Sequence, residues 1–239
     1  MILRLYMEKE DRQGMRIAYQ FVDAATQRIY ATASDNTKEA ILLHVDDSEY
    51  QFFNYPKFVE KLPINIKYPL SSKRKKTIGF HIKKEEECVA KFYGEAATCR
   101  KRGVFKRNIG FTVFEYAGEP YMLYRVGFPK QNSHYYCLYN NAGETVAIIE
   151  RHSYYTDNCK ATIYVEKEEN TLIALFACTE KIISVGNSGN SDERIDPSAG
   201  PYISILDEEK AMYDEAFMKR VKMVINNGGV QFNVQGDCL

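Results

Sequence analysis

Ile109-Gly-Phe-Thr-Val-Phe-Glu-Tyr-Ala-Gly-Glu-Pro-Tyr-Met-Leu-Tyr124 and His134-Tyr-Tyr-Cys-Leu-Tyr-Asn-Asn-Ala-Gly-Glu-Thr-Val-Ala-Ile-Ile149 align without a gap. Each is an aromatic and β-branched run, a polar turn, and a second apolar run. Such runs suit the pleated, half-buried surface of a strand. Ala117-Gly118-Glu119 and Ala142-Gly143-Glu144 fall at the same place in both. A glycine there reaches positive φ without a steric penalty, which a tight hairpin requires. The repeat therefore predicts consecutive β-hairpins.

The pattern extends in both directions. Ile78 to Phe92 and Ala161 to Phe176 have the same form, with charged tips at Glu85-Glu86-Glu87 and Glu168-Glu169 in place of the glycine. Arg16 to Thr32 is a fifth candidate hairpin. A meander of this length either exposes two edges or closes on itself, and closure removes the edges. The expected fold is mainly β (α+β), a hairpin meander closing into a barrel, with a C-terminal α-helix. Residues 1–239 are read as one domain, since barrels and large sandwiches reach this length as single units. The 36–76 stretch is less regular. Ala40-Ile-Leu-Leu-His-Val45 reads as a strand, Tyr55 to Pro63 as a short helical turn, and Ser71 to Thr77 as a basic connector. The helix is expected over about Asp207–Asn226. Acidic residues open it, basic residues close it, and Tyr213, Phe217, Val221 and Val224 form an apolar stripe.

Bulk composition agrees. Tyr numbers 18 and Phe 13, with no Trp, which favours strands. Basic and acidic side chains balance at 32 each, so any polyanion binding must be local, and nucleic acid is not the expected partner. The N-terminal stretch has no signal-peptide pattern, and no window approaches the ~18 apolar residues of a membrane-spanning helix. The six cysteines lack C-x-x-C spacing. Free, mostly buried thiols in a reducing, cytoplasmic setting are expected.

Tyr136-Cys-Leu-Tyr-Asn-Asn-Ala-Gly-Glu-Thr-Val-Ala-Ile-Ile-Glu-Arg151 resembles the strand, turn and strand with charged exit of the tubby-like superfamily. That superfamily includes the tubby C-terminal domain, the LURP-one-related proteins and the phospholipid scramblases. The similarity runs over residues 78–225. It implies a twelve-stranded barrel wrapped around a central C-terminal helix, and a non-enzymatic binding or scaffold role that includes anionic phospholipid. The family's central helix is almost wholly apolar, whereas Asp214, Glu215, Lys219 and Arg220 give the 207–226 helix a polar face that fits a surface.

The sharpest charge feature is Lys73, Arg74, Lys75 and Lys76. A second cluster is Arg100, Lys101 and Arg102, continuing to Lys106 and Arg107. Clustered cations attract an anionic headgroup or membrane surface; solvated loops have the same composition. A protein partner is the other expectation. No catalytic residue, metal ligand or cofactor emerges. His44, His81, His134 and His152 lack metal-binding spacing. Cys137 has no nearby cation to lower its pKa, and the paired glutamates lie at exposed tips. The Tyr-rich strands read as barrel wall, with a ligand groove as the alternative. Two further readings stand beside the tubby-like one: an interaction domain of an unrelated β fold, and an enzyme without a recognisable motif.

Overall fold

The computed structural model describes residues 1–9, 17–36, 40–61, 76–102, 105–128, 133–152, 159–184 and 212–227. Twelve antiparallel strands form a closed barrel: β1 Ile2–Lys9, β2 Ile17–Asp23, β3 Ile29–Asn36, β4 Ala40–Val45, β5 Ser48–Lys61, β6 Lys76–Lys84, β7 Glu87–Arg102, β8 Phe105–Tyr116, β9 Glu119–Phe128, β10 Ser133–Tyr139, β11 Thr145–Arg151 and β12 Cys159–Val165. Each strand pairs with its chain neighbours, and β1 closes the ring on β12 with Leu3 opposite Ile163. The hairpins expected at 16–32, 78–92, 109–124 and 134–149 are β2–β3, β6–β7, β8–β9 and β10–β11.

The hairpin expected over 161–176 is a correction. Its first half is β12, but Thr171-Leu-Ile-Ala-Leu-Phe-Ala-Cys178 is an α-helix, α1, entered through a short 3-10 turn at Glu168–Asn170. This stretch has no apolar–polar alternation, and a helix apolar on every side belongs in a core. It runs inside the barrel: Ile173, Ala174, Leu175, Phe176, Ala177 and Cys178 are at most 1% exposed. A π-helical stretch, Thr179–Ser184, continues it.

Inward-facing residues of all the strands close around α1. Phe176 is held edge-on by Tyr50, Phe52 and Tyr116 at ring distances of 5.1, 5.7 and 5.7 Å. Beside it, Phe80, Phe92, Phe114 and Tyr121 stack in a ladder across β6 to β9, at 5.0, 4.7 and 5.6 Å. Such cross-strand aromatic pairs stabilise a sheet and pin its register.

The opposite face of β7–β12 carries a second apolar layer, including Val113, Tyr124, Cys137 and Ile148. The C-terminal helix α2, Glu215–Asn227, covers it with Phe217, Met218 and Val221. The helix expected over Asp207–Asn226 is thus outside the barrel, as its polar face requires, and residues 207–211 lie outside the described chain. Its start is set by Asp214, whose carboxylate accepts from the Phe217 backbone N–H (2.8 Å) and from the Thr145 hydroxyl (2.9 Å). Tyr139 donates its hydroxyl to the Met212 carbonyl (2.6 Å), and Arg220 forms a two-point pair with Glu166.

Two further differences have physical causes. The helical turn expected at Tyr55–Pro63 is strand β5 as far as Lys61, with Pro63 outside the described residues. The register slips between Phe52 and Lys57, where Pro56 removes a ladder donor. The two Ala-Gly-Glu triplets also turn differently. Ala117 and Gly118 both have positive φ and close a two-residue hairpin. In the second loop only Gly143 does. There the Asn140 side-chain oxygen accepts from the N–H groups of Ala142 and Glu144, which holds a longer turn.

Truncating Phe176 to Ala empties the centre of the barrel. Denaturant unfolding should show a loss of about 3–5 kcal/mol. Asp214→Ala removes a helix cap and its tie to Thr145, and should cost about 1–2 kcal/mol by the same measurement.

Candidate functional site

The two ends of the barrel are built differently. At one, tight turns join β2–β3, β4–β5, β6–β7, β8–β9 and β10–β11, and β12 leads into α1. This turn end is acidic. Its turns contribute Asp23, then Asp46 and Asp47, then Glu85, Glu86 and Glu87, with Glu166, Glu168 and Glu169 before α1. Arg28, Lys84, Lys167, the Met1 ammonium and Arg220, which pairs with Glu166, are the cations among them. Glu85–Glu86 is a hairpin tip as expected, whereas Glu168–Glu169 precedes a helix.

The opposite end carries two projecting hairpin arms. The larger is made by β7 and β8. In the described register, β7 pairs with β6 only as far as Tyr93, and β8 pairs with β9 only as far as Phe111. Beyond that, the two strands pair with each other to Arg102 and Phe105. The six residues Phe105–Gly110 span roughly 20 Å at ~3.4 Å per residue. A shorter arm is formed by β5 and β6, ending at the pair Lys61 and Lys76.

The register of the arms puts like charges opposite one another. Arg100 faces Arg107, Lys101 faces Lys106, and Lys61 faces Lys76, while Arg102 faces Phe105. Lys76 of the first cluster and the whole second cluster therefore lie toward the same end of the barrel, on strands β6 and β7 that are neighbours. Lys73, Arg74 and Lys75 lie outside the described residues.

Two buried cations at this arm end were not singled out from the sequence. Arg151 is 8% exposed and Lys160 is 7% exposed. They line a crevice with Met7, Tyr19, His152 and Ile182. Lys160 sits at a register slip: Leu5 pairs with Ala161 and Tyr6 with Cys159, which skips it. A single lysine in a strand does not announce a bulge, so sequence had no signal for it. The crevice has about 10 Å³ of free space, room for one water at most. It is a packed mouth in which two cations and His152 meet three apolar or aromatic side chains.

The other candidates resolve as follows. His152 is hydrogen-bonded to Thr162 at 2.8 Å, and His44 lies 3.7 Å from Glu49. Among the described residues, no three His, Cys, Asp or Glu side chains converge on a metal-sized site. Cys137 and Cys178 are buried, and burial pushes both thiols far up from their ordinary range, while Cys88 is exposed. Among the tyrosines, Tyr135 and Tyr164 both donate to Glu150, at 3.0 and 2.8 Å. Tyr213 packs edge-on against Tyr135, and its phenol is pushed up to about 12 by burial first, then by neighbouring negative charge. These tyrosines form wall and helix seat; Tyr154 and Tyr155 lie outside the described residues.

No helix among the described residues is long and apolar enough to cross a membrane. No family model matches the chain, and neither a curated protein nor a solved structure shows significant similarity to it.

The thiols give a direct check on this packing. Brief alkylation of the native protein, mapped by mass spectrometry, should modify Cys88 and leave Cys137 and Cys178 intact until denaturant is added. Modification of Cys178 under native conditions would mean that α1 is not enclosed.

Proposed function

We propose that the chain is a non-enzymatic, tubby-like binding domain that recognises an anionic phospholipid surface through the basic arms of its barrel. The observation that carries this reading is the register of like charges, Arg100 with Arg107 and Lys101 with Lys106. Like charges directly opposite in a ladder destabilise it, and a two-stranded ribbon is marginal in water by itself. A surface of phosphate groups offsets both costs. Lys73, Arg74, Lys75 and Lys76 lead into the neighbouring arm and add to the same charge.

The architecture supports the family part of the reading. Twelve strands close around an apolar helix, as the resemblance implies, although the enclosed helix is not the C-terminal one that it calls for. The central position is held by α1, immediately after β12, and α2 lies outside.

Each Lys or Arg near an anionic membrane contributes about 1 kcal/mol. Replacing Arg100, Lys101, Lys106 and Arg107 together by Ala should therefore weaken binding to phosphatidylserine vesicles by about 10²–10³-fold in a sedimentation assay. Lys73→Ala, Arg74→Ala, Lys75→Ala and Lys76→Ala in combination should act in the same direction. Raised salt should weaken the wild-type interaction, because exposed charges are screened within about 10 Å at 0.1 M. Salt-independent binding, or binding unchanged by both sets of substitutions, removes the lipid reading and leaves a protein-interaction domain.

A further inference from the structure

The even charge balance of the whole chain conceals a strong axial asymmetry. At the arm end, the described strands contribute Lys9, Lys61, Lys76, Arg151 and Lys160, besides the Arg100–Arg102 and Lys106–Arg107 positions. The carboxylates near that end are Glu8, Asp35, Glu60, Glu95 and Glu150. At the turn end, the signs are reversed.

Separation makes this asymmetry usable. Strands such as β10 and β12 are seven residues long, so the ends are on the order of 20 Å apart at ~3.3 Å per residue. The β7–β8 arm adds to that distance. Screening acts over about 8 Å at physiological ionic strength. An anionic plane touching the arms therefore does not feel the acidic turns. The same plane laid along the barrel wall would meet both signs, and their contributions would cancel.

We infer that the barrel meets an anionic lipid surface end-on, with the β5–β6 and β7–β8 arms against the headgroups and the acidic turns facing away into solution. This orientation rests on the lipid-binding reading above, and adds to it a defined geometry. Helix α2 stays at the flank, with its Asp214 cap near the turn end. The acidic turns act as an orienting device, because a barrel approaching turn end first is repelled.

The chain has no tryptophan, so a single one reports its own surroundings. Phe105→Trp places the probe at the arm tip, and Thr26→Trp places it in the exposed β2–β3 turn. Each variant is mixed with phosphatidylcholine–phosphatidylserine vesicles that contain brominated lipid as quencher. Sedimentation measures binding, and fluorescence measures depth. End-on docking predicts equal sedimentation of both, quenching of Phe105→Trp, and no quenching of Thr26→Trp. Asn108→Trp gives the same arm reading should Phe105→Trp fail to fold. Binding with Thr26→Trp quenched, or with the arm probe unquenched, overturns the orientation and leaves lipid binding standing. Failure of the folded variants to sediment with the vesicles removes the binding reading, and the orientation with it. Neutralising the far turn by Glu85→Gln, Glu86→Gln and Glu87→Gln should leave affinity unchanged. A gain in affinity would place that turn at the membrane and overturn the proposal.

Discussion

The barrel depends on the burial of α1. A ring of twelve strands has an interior too wide for its own side chains to fill unless they are large or something else enters. Here the filler is covalently attached, and its eight residues are almost wholly apolar. Phe176 meets two rings from β5 and one from β8, so one side chain ties together strands that are not neighbours in the sheet. Close packing also explains why the inner strand positions alternate between large aromatics and alanines. Ala31, Ala33, Ala90, Ala147 and Ala161 lie in the same cluster as Tyr50, Phe52 and Phe114. Small residues leave room for the helix, and large ones complete the packing.

The outer wall repeats this logic on a smaller scale. Strands β7–β12 are apolar on both faces, which a barrel tolerates only if something covers the outside. Helix α2 supplies that cover with one stripe of residues and leaves its charged face to water. Its polar attachments are through Met212 and Asp214 at the start and Arg220 in the middle. The exposed pair with Glu166 contributes little by itself; Phe217, Met218 and Val221 provide most of the hold.

The sequence made the hairpins legible because period-two alternation and turn chemistry are local signals. β8–β9 and β10–β11 are the repeat from which the reading began. It did not reveal what depends on distant partners. The run 171–176 is equally apolar as strand or helix, and only the fact that β1 already pairs with β12 leaves it no sheet edge to join. β5 was obscured by Pro56, which the strand accommodates by slipping register. For the candidate site, the cations of 73–76 and 100–102 could be read as charge, but that Lys76 and 100–102 stand on neighbouring strands is a property of strand order. Arg151 and Lys160 were invisible because burial and a bulge are not written in a single charged letter.

The closing contact has a temporal meaning. Leu3 is paired with Ile163, and α1 follows only after that. Most neighbouring strands are local in sequence and can zip as hairpins while the chain is being made. The first strand, in contrast, has one edge without a partner until β12 emerges, and the interior has no filling until α1 does. Ring closure and core filling thus fall to the same short interval of synthesis. Until then the nascent meander presents an open edge and a bare aromatic concavity, the surfaces that a holdase would be expected to cover. The order of elements along the chain makes the final segment of the barrel domain the one that commits all the earlier ones.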